Sequence, residues 1–288
     1  VPVFEAIFKE INVPMAILKR NYKGLYFDRS NEAFVQLAGY TEGELSRLNP
    51  NMILYEWKDS SLPEVKTLYT LRTKQNQRLN VKISCKKSDS DSEPAWIFTA
   101  NDASAELWIE EQMRNQTILI SGIVDSNHVF ERFDKKYPHS LFDDDTSLIA
   151  SSIMSIIHED EQARIREALR RAVLSRQAEK LNLRTKWIGN KLDLEVSLTF
   201  APFYNFDNSL KQYAFIVTDL RSKQDDPAVK LQIMMARRKI SAQELSESTG
   251  ISVQTISKLR NGKILKPQRL TAELLATVLG VKPQDIWA

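Results

Sequence analysis

Gln254 and Lys258 stand one helical turn apart in the run Val253 to Arg260, and both side chains suit the edges of bases. A carboxamide pairs through two hydrogen bonds with adenine N6 and N7, and an ammonium donates to guanine N7 or O6. Val253 suits a thymine methyl, and Ser252, Thr255 and Ser257 place short hydroxyls on the same stretch. Arg260, Asn261, Lys263 and Lys266 follow at once, a group suited to phosphates, which position a protein on a duplex without carrying sequence. Any one of these residues also fits a plain solvated face, so the weight lies on the group and its spacing.

Such a group needs a scaffold that pushes one helix outward. Ser241 and Glu244 have capping-box spacing and open a helix from Ala242 to about Thr249. Gly250 follows as the left-handed residue after it, and Ser252 caps a further helix, Val253 to Arg260, that Asn261 and Gly262 end. Leu245, Ile251, Ile256 and Leu259 fall on the inward side, leaving Val253, Gln254, Ser257 and Lys258 outward. Upstream, Leu231, Met234, Met235 and Arg238 lie on a first helix. Downstream, Pro267 is expected to open a fourth, with Leu270, Leu274, Leu275 and Leu279 as its apolar face and Gly280 closing it. Pro283 starts a last turn that brings Ile286 and Trp287 to the core. Charge agrees with an anionic partner: residues 227–288 hold ten Lys/Arg against four acids, a net of +6, while the rest of the chain carries −3.

The preceding residues read differently. Three strand-like stretches, 66–72, 79–85 and 95–100, alternate apolar and polar side chains and run into Asp102. Three more, 181–186, 192–198 and 213–218, do the same and run into Asp219. Period-two alternation suits antiparallel strands with one buried face, and the repeat of about 110–120 residues is domain-sized. Between the repeats, Ser104 to about Gln116 reads as a helix with Ala105, Trp108, Ile109 and Met113 on one side. The first residues read as another, with Val3, Phe4, Ile7, Phe8 and Ile11 on one stripe. Residues 222–227, ending in Pro227, form a polar connector. In the first repeat, Asn31 caps a short helix closed by Gly39, and Thr41 with Glu44 forms a capping box. Tyr55, Trp57, Trp96 and Phe98 are aromatics that could line a small-molecule pocket, although aromatics in such a pattern are more often core.

Several function classes lack their residues. No phosphate-binding loop, nucleophile elbow or zinc-protease motif occurs, and the chain has 8 glycines. His128, His139 and His158 have no ligand or nucleophile spacing, so no catalytic group, metal or cofactor is assigned. Cys85 is the one cysteine, in a strand-like stretch that favours a buried thiol. Apolar runs such as 116–124 are too short to span a bilayer, and Val1 to Glu5 lack a signal-peptide pattern, so a cytoplasmic protein is the simplest reading.

Two resemblances follow from these residues. The run Asn31-x-Ala33-Phe34, Gly39-Tyr40-Thr41 and Glu44-Leu45, with the three strands and Asp102, resembles the PAS sensor family. The second repeat is similar in Ile156 to Asp160, the helix 162–174, its strands and Asp219, but departs between Phe130 and Ser152. His158 takes the place of a family turn residue, which implies a structural role, and Cys85 does not occupy the place of the reactive cysteine of light-sensing relatives. Residues 229–287 resemble the phage Cro and repressor (XRE) helix-turn-helix family through Glu244-Leu245, Gly250-Ile251-Ser252, Thr255-Ile256-Ser257, Asn261-Gly262-Lys263 and Leu275 to Val281. The first residue of the second helix is usually Gln in that family; here it is Ala242, with Gln243 next. The implied architecture is multidomain: two α+β PAS-like domains, each an antiparallel sheet with flanking helices, plus an all-α DNA-binding domain. The expected divisions are 1–103, a connecting helix 104–116, 117–222, a linker 223–228, and 229–288. The implied function is a homodimeric transcription regulator, by resemblance a repressor, on an operator of two half-sites. By the same resemblance Gln243, Ser252, Val253, Gln254, Thr255, Ser257, Lys258, Arg260, Asn261, Lys263 and Lys266 are expected to face DNA, and the PAS domains are expected to mediate dimerisation and to sense either a small-molecule effector in a PAS pocket or a partner. A PAS-based adaptor without DNA binding and, more remotely, a haem or chromophore sensor stay open as alternatives.

Overall fold

Alternating burial builds the first sheet from β1 (Met15–Asn21), β2 (Gly24–Ser30), β3 (Leu54–Tyr55), β4 (Thr67–Arg72), β5 (Arg78–Lys87) and β6 (Ala95–Asp102). The structure, a computed structural model, describes residues 3–60, 62–88, 94–136, 148–186, 194–222 and 226–287. It divides into two units, residues 1–108 with 203–211 and residues 109–202 with 212–288.

In the first unit the strand order is β2-β1-β6-β5-β4-β3, antiparallel throughout. Helices α1 (Val3–Glu10), α2 (Glu32–Ala38) and α3 (Glu42–Leu45) accompany it. Asn31, fully buried, joins three of these pieces. Its Oδ1 accepts from Met15 N at 2.9 Å and from Phe34 N at 3.0 Å, and its Nδ2 donates to the Ile11 and Val13 carbonyls at 3.0 and 2.8 Å. All four hydrogen-bonding positions of the amide are used, so a polar group is buried without penalty. On α1 only part of the expected stripe is covered: Phe8 is buried, while Val3 and Ile7 are exposed, and the Phe4 side chain lies outside the described residues.

Helix α4 (Ser104–Asn115) leads to β7 (Ile120–Asp125) and β8 (Phe130–Lys135). Then come α5 (Ile153–Ile156), α6 (Glu159–Ser175), β9 (Glu179–Arg184), β10 (Leu194–Tyr204) and β11 (Leu210–Ser222). The sheet order, β8-β7-β11-β10-β9, repeats the connectivity of the first without its short edge strand β3: an opening hairpin, helices, then three strands whose last pairs with the first. Gly122 on β7 has no room for a side chain, because a Cβ there would meet the Arg132 carbonyl and the Phe215 ring. His158 caps α6, its Nδ1 accepting from Asp160 N at 3.4 Å. His139, residues 192–193 of the expected strand and residues 223–225 of the connector lie outside the described residues.

The last five helices are α7 (Pro227–Arg238), α8 (Ala242–Thr249), α9 (Val253–Arg260), α10 (Arg269–Leu279) and α11 (Pro283–Ile286). Leu231, Met235, Leu245, Ile256, Leu259, Leu275, Leu279 and Ile286 form their core, with Trp287 packed against it. Two expectations for α10 are corrected. It starts at Arg269, after a Gln268 cap, rather than at Pro267. Its buried face is Ala272, Leu275, Ala276 and Leu279, whereas Leu270 is 67% and Leu274 38% exposed. The shift in the start and the small alanines let the helix pack closely along a face rotated from the leucine stripe.

Candidate nucleic-acid interface

The outward helix is fixed from both ends by hydrogen bonds the sequence spells out locally. Ser241 Oγ accepts from Glu244 N at 3.1 Å, and Glu244 Oε2 accepts from Ser241 N at 2.7 Å. The bond from the Ser241 backbone holds the Glu244 carboxyl below its usual range. Gly250 takes φ 71°, the left-handed turn that a Cβ would strain, and its N–H closes on the Ser246 carbonyl. Ser252 Oγ then accepts from Thr255 N at 3.2 Å and lies 2.9 Å from Thr255 Oγ1. Both hydroxyls are therefore spent on the cap, which makes Ser252 and Thr255 supports of the N-terminus as much as contacts.

Along α9, Ile256 and Leu259 are buried, while Val253, Gln254 and Lys258 are exposed and Ser257 is half-buried. At its end the Asn261 backbone N–H donates to the Ser257 carbonyl at 3.0 Å, and Lys263 N–H to the Lys258 carbonyl at 2.8 Å, folding the chain back beside the helix. Arg260 is half-buried, and Asn261, Lys263 and Lys266 are exposed. None of Lys258, Arg260, Lys263 and Lys266 has an ion-pair partner among the described residues. The four acids of the domain are engaged elsewhere. Glu244 is in its cap, and Glu247 accepts from Gln243 Nε2 at 2.9 Å. Glu273 pairs with Arg269 at 2.8 Å, and Asp285 accepts from Lys282 N at 2.8 Å. An uncompensated cationic rim thus surrounds the exposed amide and ammonium of α9. Gln243, second in α8, is exposed and turned to Glu247, whereas Ala242 packs on the core.

One residue of this site escapes sequence reasoning. Gln232 Nε2, on α7, donates to the Arg260 carbonyl at 2.7 Å. That carbonyl belongs to the last turn of α9, where acceptors lack intrahelical partners, so α7 ties down the far end of the outward helix. The 28-residue separation carries no local signal.

The four aromatics expected around a ligand do not converge. Phe98 is fully buried, 5.4 Å from Phe34 and 5.8 Å from Phe27 between ring centres, and Trp57 packs 6.0 Å from it with Nε1 bonded to Asp59 Oδ1. Tyr55 is 42% exposed beneath the Arg78 guanidinium, and Trp96 lies beneath that of Arg20. The correction has a simple cause. Strand alternation sends Trp96 and Phe98 to one face, but Phe27 and Phe34 fill the space that Phe98 enters. A cavity of about 70 Å³ lies instead in the second sheet domain, against Ile120, Phe130, Ile165, Val196, Tyr213 and Phe215. The Thr185 hydroxyl beside it is bonded to the Leu194 carbonyl. Cys85 is buried away from this cavity, and burial pushes its thiol up to about 12. No group of three or more metal-ligating side chains occurs among the described residues, and no described helix is long and apolar enough to cross a membrane.

Solved PAS structures are similar in part. A PAS domain from Desulfitobacterium hafniense is 18% identical over 34% of this chain and 98% of its own, with a TM-score of 0.30. A LOV protein from Rhodobacter sphaeroides is 14% identical over 38% of this chain and 72% of its own, with a TM-score of 0.33. The Cro/C1-type HTH DNA-binding domain model matches residues 230–288. The uncharacterized HTH-type transcriptional regulator YozG of Bacillus subtilis (strain 168) is 38% identical over 58 residues, which are 20% of this chain and 69% of that protein. Through these C-terminal residues the chain belongs to the Cro/C1-type helix-turn-helix family of DNA-binding transcriptional regulators.

Proposed function

We propose that the chain works in the cytoplasm as a homodimeric transcriptional repressor that reads its operator with α9 and answers to a small molecule through its sheet domains. The observation that carries the reading is the exposed row Val253, Gln254, Ser257 and Lys258 on a helix capped at both ends and flanked by unpaired cations. A helix so presented fits a major groove, with Gln254 on adenine, Lys258 on guanine and Val253 on a thymine methyl. Arg260, Asn261, Lys263 and Lys266 hold phosphates, and Gln243, Ser252 and Thr255 sit where the N-terminal ends of the two helices meet the backbone. Repression asks only that the operator be covered, and it is the direction the family resemblance suggests. The working divisions are 1–103 and 117–222 for the sheet domains, 104–116 for the helix between them, and 229–288 for the DNA reader. One eight-residue helix covers few base pairs, so two copies on half-sites about 34 Å apart supply affinity and register. The apolar cavity of the second sheet domain suits a small uncharged effector.

A single titration tests the core of this. A duplex selected by the protein from random-sequence DNA is titrated at several salt concentrations with wild type, Lys263→Ala and Gln254→Ala. Lys263→Ala is expected to weaken all duplexes alike and to reduce the salt slope by about one. Gln254→Ala is expected to cost about 1–3 kcal/mol at one base pair and little elsewhere. Two chains per duplex are expected at saturation. Equal loss on selected and scrambled DNA for Gln254→Ala, or one chain per duplex, contradicts the reading.

A further inference from the structure

Helix α7 is buried on two opposite faces. Leu231 and Met235 point into the helix-turn-helix core. Val229, Ile233 and Ala236, spaced three and four apart on the other side, are also buried but do not belong to that core. A first helix that served its own small domain alone needs one apolar stripe; this one has two. Its last turn carries Arg237, whose Nη2 lies 2.6 Å from Asp219 Oδ1 and donates to the Leu220 carbonyl at 2.9 Å. Asp219 also holds Arg221 Nε at 2.8 Å and accepts from Leu220 N at 3.0 Å. These acceptors stand at the end of β11, the strand that lends Tyr213, Phe215 and Val217 to the cavity wall.

We infer that Asp219 and Arg237 form the joint by which the second sheet domain sets the pose of the DNA-reading helix, with Gln232 as its second pin. The inference rests on the reading of α9 as the DNA-contacting helix and names how that helix is regulated. Force enters at the end of β11, crosses to α7 through the Arg237 fork, and reaches α9 through the Gln232 bond to the Arg260 carbonyl. Helix α7 carries it as a rigid body, because both of its faces are packed. Arg237 Nε is buried with no hydrogen-bond partner among the described residues. Arg237, Asp219 and Gln232 are positioning residues: none belongs to the outward row of α9. The connector between β11 and α7 then need not be stiff, since the coupling runs through side chains.

The test uses the full chain and separates the joint from charge. Removing a cation weakens DNA binding by long-range electrostatics, and removing an anion strengthens it. A joint predicts otherwise. Arg237→Gln and Asp219→Ala are expected to change affinity for the selected duplex in the same direction, by about fivefold or more, with the double variant no further from wild type than either single. In the free protein, amide exchange over α9 is expected to quicken in both variants while exchange over β7 stays unchanged, which excludes general unfolding. Affinity changes of opposite sign, or a double variant equal to the product of the singles, overturn the joint. Unchanged exchange over α9 overturns it as well, whatever the DNA does. A wild-type chain that prefers no duplex over scrambled DNA defeats the DNA reading instead, and the exchange data then decide the joint by themselves.

Discussion

The two sheets share one connectivity and differ in what fills them. In the first, Phe27, Phe34 and Phe98 meet ring to ring and Trp57 closes the group, so the space between sheet and helices is occupied by the protein's own aromatics. In the second, the equivalent space is lined by aliphatic side chains together with Phe130, Phe133, Phe200, Tyr213 and Phe215, whose rings also meet, yet about 70 Å³ stays open between them. Topology therefore does not decide whether such a domain keeps open space in its core; the volume of a few side chains does. The first unit also has the Asn31 clasp, which binds its opening loop, first strand and first short helix together. The plugged domain carries the clasp, and the hollow one adjoins the helix-turn-helix domain at the end of β11.

The largest expected effect comes from emptying the plugged core. Phe98→Ala is expected to cost about 3–5 kcal/mol in the stability of the first unit, since its ring is enclosed on all sides. The same truncation at Phe215, which already borders empty space, is expected at the low end of that range or below. Exchange of amides on β6 and β11 reads the two units separately, and equal losses at both positions would break the contrast between a filled and a hollow core. Next is the clasp. Asn31→Ala orphans the Met15 and Phe34 donors and the Ile11 and Val13 acceptors, and a loss of about 2–3 kcal/mol is expected in the first unit alone. A loss below about 0.5 kcal/mol, measured the same way, would show that water replaces the amide and that the clasp contributes little rigidity. The smallest effect sharpens the comparison most directly. Toluene at ten times its dissociation constant is expected to protect β7 and β11 by about 1.4 kcal/mol and to leave β1 and β6 unchanged. Protection of both sheets, or of neither, would remove the cavity as a site.

Much of the DNA-reading end was legible in the residues alone. Caps, a left-handed glycine and the 3.6-residue period act within a few positions, so Ser241, Glu244, Gly250 and Ser252 delimit α8 and α9 without any knowledge of the rest. Three strands of each repeat were legible for the same reason, because alternation is local and one face is covered, whereas the opening hairpins β1–β2 and β7–β8 were not singled out. The buried side of α10 was legible only in part, at Leu275 and Leu279. Four leucines gave a plausible stripe, but alanines let the helix approach its neighbours along another face, and the leucine count cannot weigh close approach.

By itself, then, the sequence determined the helices of the C-terminal end, three strands in each repeat and the outward row of α9, all of which follow from neighbours along the chain. Only the tertiary structure decided which core is full. Trp57 and Phe98 read as pocket wall or, more often, as packing until Phe27 and Phe34 are seen to occupy the space that Phe98 enters. It likewise decided that Gln232 holds the Arg260 carbonyl and that Arg237 reaches Asp219, bonds spanning 28 and 18 residues. Side-chain volume and long-range hydrogen bonds depend on which residues the fold brings together, and no periodicity along a single chain records that.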